Sequence, residues 1–114
     1  MNLAQMKNRI LILKKHIIIN ERGFKSYNYE ELKELWSKVE TVKIEELIRA
    51  DKEDIRDIKR FIIRNYKQIT EIDPREICVK YKEKIYDAKS YETFSSDENF
   101  IIVVGELNNE CSSN

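Results

Sequence analysis

His16 is the only histidine in the 114 residues, and Cys78 and Cys111 are the only cysteines. A nucleophilic site needs a base beside the nucleophile, and a metal site needs several ligands at short spacing. His16 lies in a strand-like apolar run far from either cysteine and reads as an edge-strand surface residue. Carboxylates are more numerous. Asp51, Glu53, Asp54 and Asp57 form one cluster, and Glu71, Asp73 and Glu76 another. Paired carboxylates can hold Mg²⁺ for hydrolysis. The first cluster, however, is interleaved with Lys52, Arg56 and Lys59, the pattern of a solvated, charge-laced face. Glu31-Leu32-Lys33 has the local form of a nuclease Glu-x-Lys, but no acidic residue on a preceding strand completes it. There is no GxGxxG, Walker or GxSxG pattern. The expectation is a protein that is not an enzyme, with no catalytic residue, no metal and no cofactor.

Aromatic residues offer a different chemistry. Phe24, Tyr27, Tyr29, Tyr66 and Tyr81 could stack bases on a small barrel. Base stacking also needs a basic groove, and 21 Lys/Arg against 21 Asp/Glu give no net field towards nucleic acid. A small nucleic-acid-binding regulatory domain is therefore an alternative, not the first reading. Phe24, Tyr27 and Tyr29 stand in a polar stretch, 21–31, read as a loop. Phe94 stands alone in a second polar loop, 92–98. Aromatics in polar loops suit contact surfaces.

The elements that must carry these residues centre on Ile58–Tyr66. This run puts Phe61 and Ile63 on one face of a strand, and Ile62 and Arg64 on the other. Ile77–Tyr81 and Lys84–Ala88 read as a hairpin across Lys82-Glu83. Arg9–Ile19 reads as a strand pair or one long strand, closed by the turn signal Asn20-Glu21-Arg22-Gly23. Asp73-Pro74 marks another turn, and Phe100–Val104 a last strand that Gly105 closes. Residues 30–66 are in conflict. Leu32, Leu35, Trp36 and Val39 have helical spacing, and Ile44, Leu47, Ile48, Asp51 and Ile55 form a clearer stripe, so the period alone predicts two helices there.

Composition fits one domain with a modest core. The 37% charged and 41% apolar balance is that of a globular chain. We expect a single domain over 1–107 and a tail over 108–114. Two cysteines make no secreted disulfide framework, and Cys78 reads as a buried small hydrophobe. Lys14, Lys15 and His16 break the N-terminal apolar run, so no signal peptide is expected, and no run is long enough for a membrane span. Charge is uneven: residues 1–43 carry 9 basic and 5 acidic residues, and no basic residue follows Lys89. Such asymmetry suits either a solvated acidic tail or subunits meeting head to tail.

Taken in order, several segments resemble the bacteriophage head–tail connector proteins of the head-closure, or stopper, type. They are Met6-Lys7-Asn8-Arg9-Ile10-Leu11-Ile12, a loop with Gly23, Leu35-Trp36-Ser37-Lys38-Val39-Glu40, Glu45-Glu46 with Ala50, Arg60-Phe61-Ile62-Ile63-Arg64, and Lys84-Ile85-Tyr86-Asp87-Ala88. The resemblance covers about residues 6–107. It implies a mainly β fold, a small barrel of about six strands with one inserted α-helix, here at about 43–53, and a strand at 35–42. An α+β fold with two helices across 30–66 is the alternative. It implies that Trp36, Phe61, Arg64, Tyr86 and Asp87 are structural, and it leaves Phe24, Tyr27, Tyr29 and Phe94 as candidate assembly contacts. The implied protein belongs to the neck of a virion and is assembled in the bacterial host cytoplasm. It forms a homo-oligomeric, twelvefold ring between the portal or its adaptor and a tail-completion or tail-terminator protein. Double-stranded DNA passes through that ring without sequence readout, and no membrane is involved. A tail-completion role, or a part in a headless tail-like particle, is the alternative.

Overall fold

The computed structural model describes residues 6–49, 52–93 and 97–108. Six strands account for most of them: β1 (Asn8–Ile19), β2 (Lys25–Arg49), β3 (Lys52–Arg64), β4 (Ile77–Tyr81), β5 (Lys84–Thr93) and β6 (Phe100–Leu107). All neighbours pair antiparallel, in the order β1-β2-β3-β6-β5-β4, and β4 returns to β1, so the sheet closes into a barrel. A single turn of helix, α1 (Lys67–Thr70), and a 3-10 turn at Pro74–Glu76 lie between β3 and β4. Closure removes the free edges that a short open sheet would expose.

The interior is filled by alternate residues of these strands. Ile10, Ile12, Leu35, Phe61, Ile63, Val79, Tyr86, Ala88, Ile101 and Val103 form one buried cluster. Phe61 lies at its centre, edge-on to Tyr86 at 5.4 Å and to Tyr81 at 5.9 Å. Gly105 sits against it: a Cβ there would come within 3.1 Å of Phe61 and of Tyr86. β6 therefore runs on through Gly105 to Leu107 instead of ending at it. Ile69 of α1 is buried in the same cluster and covers one mouth of the barrel. The Tyr91 hydroxyl on β5 holds this turn, its one proton shared between the carbonyls of Ile69 and Ile72 at 3.1 and 2.9 Å. As expected, Ile62 faces away from Phe61; it packs outside with Met6, Phe100 and Ile102.

The helix lies elsewhere than expected. Residues 43–49 and 52–58 continue β2 and β3, with Ile44 opposite Asp57 and Arg49 opposite Lys52. Among the described residues, neither the helix at about 43–53 nor the pair across 30–66 forms. Two or three helical turns are marginal alone. Here the ladder is already nucleated where Lys38–Thr41 pair with Lys59–Ile62, so each further pair extends it at low cost. The loop expected over 21–31 shrinks to residues 20–24, and Tyr27 and Tyr29 are strand residues.

The strands are longer than the barrel needs, which leaves two ribbons standing off it. β1 pairs with β4 only over Leu11–Lys14, but with β2 all the way to Ile19 opposite Lys25. Likewise β3 pairs with β6 only from Ile58 onward. Among the described residues, no third strand pairs with residues 15–19 and 25–29, or with 43–49 and 52–57.

Candidate functional site

The β1–β2 arm is built by a defined turn. Asn20 accepts through Oδ1 from the backbone N–H groups of Arg22 and Phe24, both at 2.9 Å. Its own N–H donates to the Phe24 carbonyl at 3.0 Å, and Gly23 takes the left-handed φ of 83° that lets the chain reverse. The arm is a two-stranded ribbon in which residues opposite in register share a face. Lys15, Ile17 and Ile19 lie opposite Tyr29, Tyr27 and Lys25. That face is apolar at its centre, with a lysine at either end. The other face carries His16, Ile18, Ser26 and Asn28, and His16 Nε2 bonds Glu30 at 3.0 Å. Ile17, Ile18, Ile19, Phe24 and Tyr27 are all exposed, Phe24 by 66%. Exposed apolar side chains grouped in this way are the surface feature to examine for contacts.

At the other end of the same hairpin is a hollow of about 380 Å³, lined by Met6, Leu35, Trp36, Arg64 and Tyr66. Trp36 is 53% exposed, with the Arg9 guanidinium 4.7 Å above its ring; Arg9 also pairs with Glu34. Lys33 lies 4.1 Å above Tyr66. A second hollow shares Arg64 and Tyr66 and adds Asn65, Lys67, Glu98 and Asn99.

The residues singled out by sequence are thus dispersed. Phe24 and Tyr27 are exposed on the arm, and Tyr29 is half-buried at its base. Phe94 lies outside the described residues. Trp36 and Arg64 are exposed and share the hollow. Phe61 and Tyr86 are in the core. Burial, then the charge of Asp57, raises the Tyr86 hydroxyl pKa well above the ordinary range, and it donates to Asp57 Oδ2 at 3.3 Å. Asp87 ties elements together: Cys78 Sγ and Asn108 Nδ2 donate to it at 3.3 and 2.9 Å, and Lys15 lies 3.6 Å away.

Nor do the suspected chemical groups converge. Arg75 donates two side-chain hydrogen bonds to Asp73, which holds that carboxyl at a pKa of about 2. Among the described residues, no three His, Cys, Asp or Glu side chains form a metal-ligand set. Sequence reasoning missed the exposure of Ile17–Ile19. The signal was present: three successive β-branched residues in a strand cannot all face one core.

Fold and surface together define a small closed barrel that displays an exposed, largely apolar arm. The chain belongs to the phage head completion protein family, whose model matches residues 1–106. It is a structural protein of the phage virion. In fold it is similar to a chain in the virion of a native gene transfer agent particle. The TM-score is 0.68, at 8% identity, over 88% of this chain and 92% of that one. It is similar also to protein SF1141 from Shigella flexneri 2a, with a TM-score of 0.62, at 15% identity, over 96% and 99%. At these identities the likeness is one of fold. No curated protein sequence matches the chain.

Proposed function

We propose that this protein closes the head at the neck of the particle. Copies form a ring between the portal, or the adaptor bound to it, and the tail. The ring retains packaged DNA and offers the tail its attachment site. The observation that carries this reading is the exposed apolar arm of 15–29 on a barrel of the head completion family. A barrel that is satisfied internally has no need of five exposed apolar side chains on one ribbon; an assembly does. Phe24, Tyr27, Tyr29 and Phe94 are the proposed assembly contacts, and twelvefold symmetry is the proposed ring size. DNA passes without base readout, so only backbone-directed cations need face the channel.

Deletion of the gene, followed by electron microscopy of the particles, tests the reading. DNA-filled heads that leak and lack tails are the expected result. Intact heads with aberrant free tails would place the protein on the tail side instead. Normal infectious particles would overturn the neck assignment.

A further inference from the structure

The arm tip and the Trp36 hollow are complementary surfaces of one chain that one molecule cannot bring together. They lie at opposite ends of the β1–β2 hairpin. Lys25 and Trp36 are separated along β2 by about 35 Å at strand rise, within the 47 Å long dimension of the molecule. The tip is convex and ends in Phe24. The hollow is concave, mostly apolar and large enough for an aromatic ring.

Their charges also match. Among the described residues, the side chains of Glu21, Arg22 and Lys25 at the tip have no hydrogen-bond or ion-pair partner. The same holds for Arg64 in the hollow and Glu98 beside it. The tip offers one carboxylate next to two cations; the receiving surface offers one cation next to one carboxylate. Two tips meeting each other would instead oppose Arg22 and Lys25 of one copy to the same cations of the other. The matching occupant of the hollow is therefore the tip of a second copy.

We infer that Phe24 of one copy seats against Trp36 and Tyr66 of the next, with Glu21 facing Arg64 and Arg22 facing Glu98. This rests on the ring reading above and names its contact. Because tip and hollow are different patches, the contact is heterologous: it gives each subunit one donor end and one acceptor end, the arrangement that a ring requires. An aromatic anchor in a hollow rimmed by charge is also the arrangement that concentrates binding energy at interfaces.

The test uses assembled particles. In a Cys111→Ser background, Glu21→Cys and Arg64→Cys, which leave Phe24 and Trp36 in place, are introduced singly and together, and purified particles are treated with a short bis-maleimide. The double variant should give a ladder of covalent multimers on denaturing gels, and the singles none. A particle that contains the double variant but yields only monomer overturns the contact. If the double variant is not incorporated, charge exchange decides. Glu21→Arg and Arg64→Glu should each lower infectious titre about tenfold or more, and together restore it to within about threefold, as coupled partners do. Single losses without restoration overturn the inference. Failure of the ring reading looks different: particles then form and infect without the protein at all.

Discussion

At Gly105 the barrel leaves no room for a side chain. The missing side chain lets β6 cross beside Phe61 and the Cβ of Tyr86, neither of which can retreat: Phe61 is wedged edge-on between two tyrosines, and the Tyr86 Cβ moves only with its backbone. Gly105→Ala should cost about 1–3 kcal/mol, the range for overpacking a filled core, read as a drop of several degrees in melting temperature. Elsewhere in the barrel, the Tyr91 hydroxyl pins α1 to β5. Tyr91→Phe removes one donor, while the Ile69 carbonyl keeps its bond from the Ile72 N–H, and should cost about 1 kcal/mol. The pH dependence has a definite sign. Burial first, then the charges of Asp73 and Glu76, push the tyrosine from 10.0 up to about 12. A folded-state pKa above the unfolded one gives stability that is whole below pH 10 and is lost as pH rises through about 12. The difference in stability between wild type and Tyr91→Phe should therefore shrink between pH 10 and 12 in chemical denaturation.

At the scale of elements, the β4–β5 hairpin carries an uncommon turn. Lys82 and Glu83 both take positive φ, 50° and 66°, the geometry that a two-residue hairpin demands and that Asn-Gly meets without strain. Glu83→Gly should stabilise the protein by about 0.5–1 kcal/mol once the entropy cost of glycine is set against the relief of strain. Glu83→Val should destabilise it. Thermal melts of the two variants moving in the same direction would contradict the assignment. This hairpin was legible in sequence because strand composition flanks a gap of the right length, as it was for Ile58–Arg64, whose two faces follow their alternation. The 43–58 segment was misread because local period competed with pairing. Its Ile44, Leu47, Ile48 and Ile55 stripe has helical spacing, yet β2 and β3 are already joined below it, and a growing ladder outweighs a short helix. Of the candidate site, the aromatics of the arm were visible as residues out of place in polar surroundings. The Trp36 hollow was not, since it joins Met6, Leu35, Arg64 and Tyr66 from separate parts of the chain, and only the pairing of β2 with both β1 and β3 brings them together.

For the whole molecule, the division of labour is between a barrel that closes on itself and a β1–β2 arm whose Ile17, Ile18, Ile19, Phe24 and Tyr27 stay exposed. The pairing that closes β1 against β4 ends at Lys14, before the exposed run begins. His16 lies directly opposite Asn28, so a two-residue turn can join them. Replacing residues 17–27 by Asn-Gly should therefore leave the barrel folded. Far-UV circular dichroism should remain mainly β, and stability should change by no more than about 1 kcal/mol, as for exposed sites without special roles. The trimmed protein should also self-associate less at high concentration, because the exposed isoleucines are gone. In particles it should behave as a null: complementation of a deletion should fail although the protein is soluble and folded. Each half of this result answers a separate question. Unfolding on trimming would mean that the arm supports the barrel, and its exposed side chains would need no partner to account for them. Folding with full complementation would mean that assembly runs through another surface. Folding without complementation is the outcome that ties the apolar ribbon to its place in the virion.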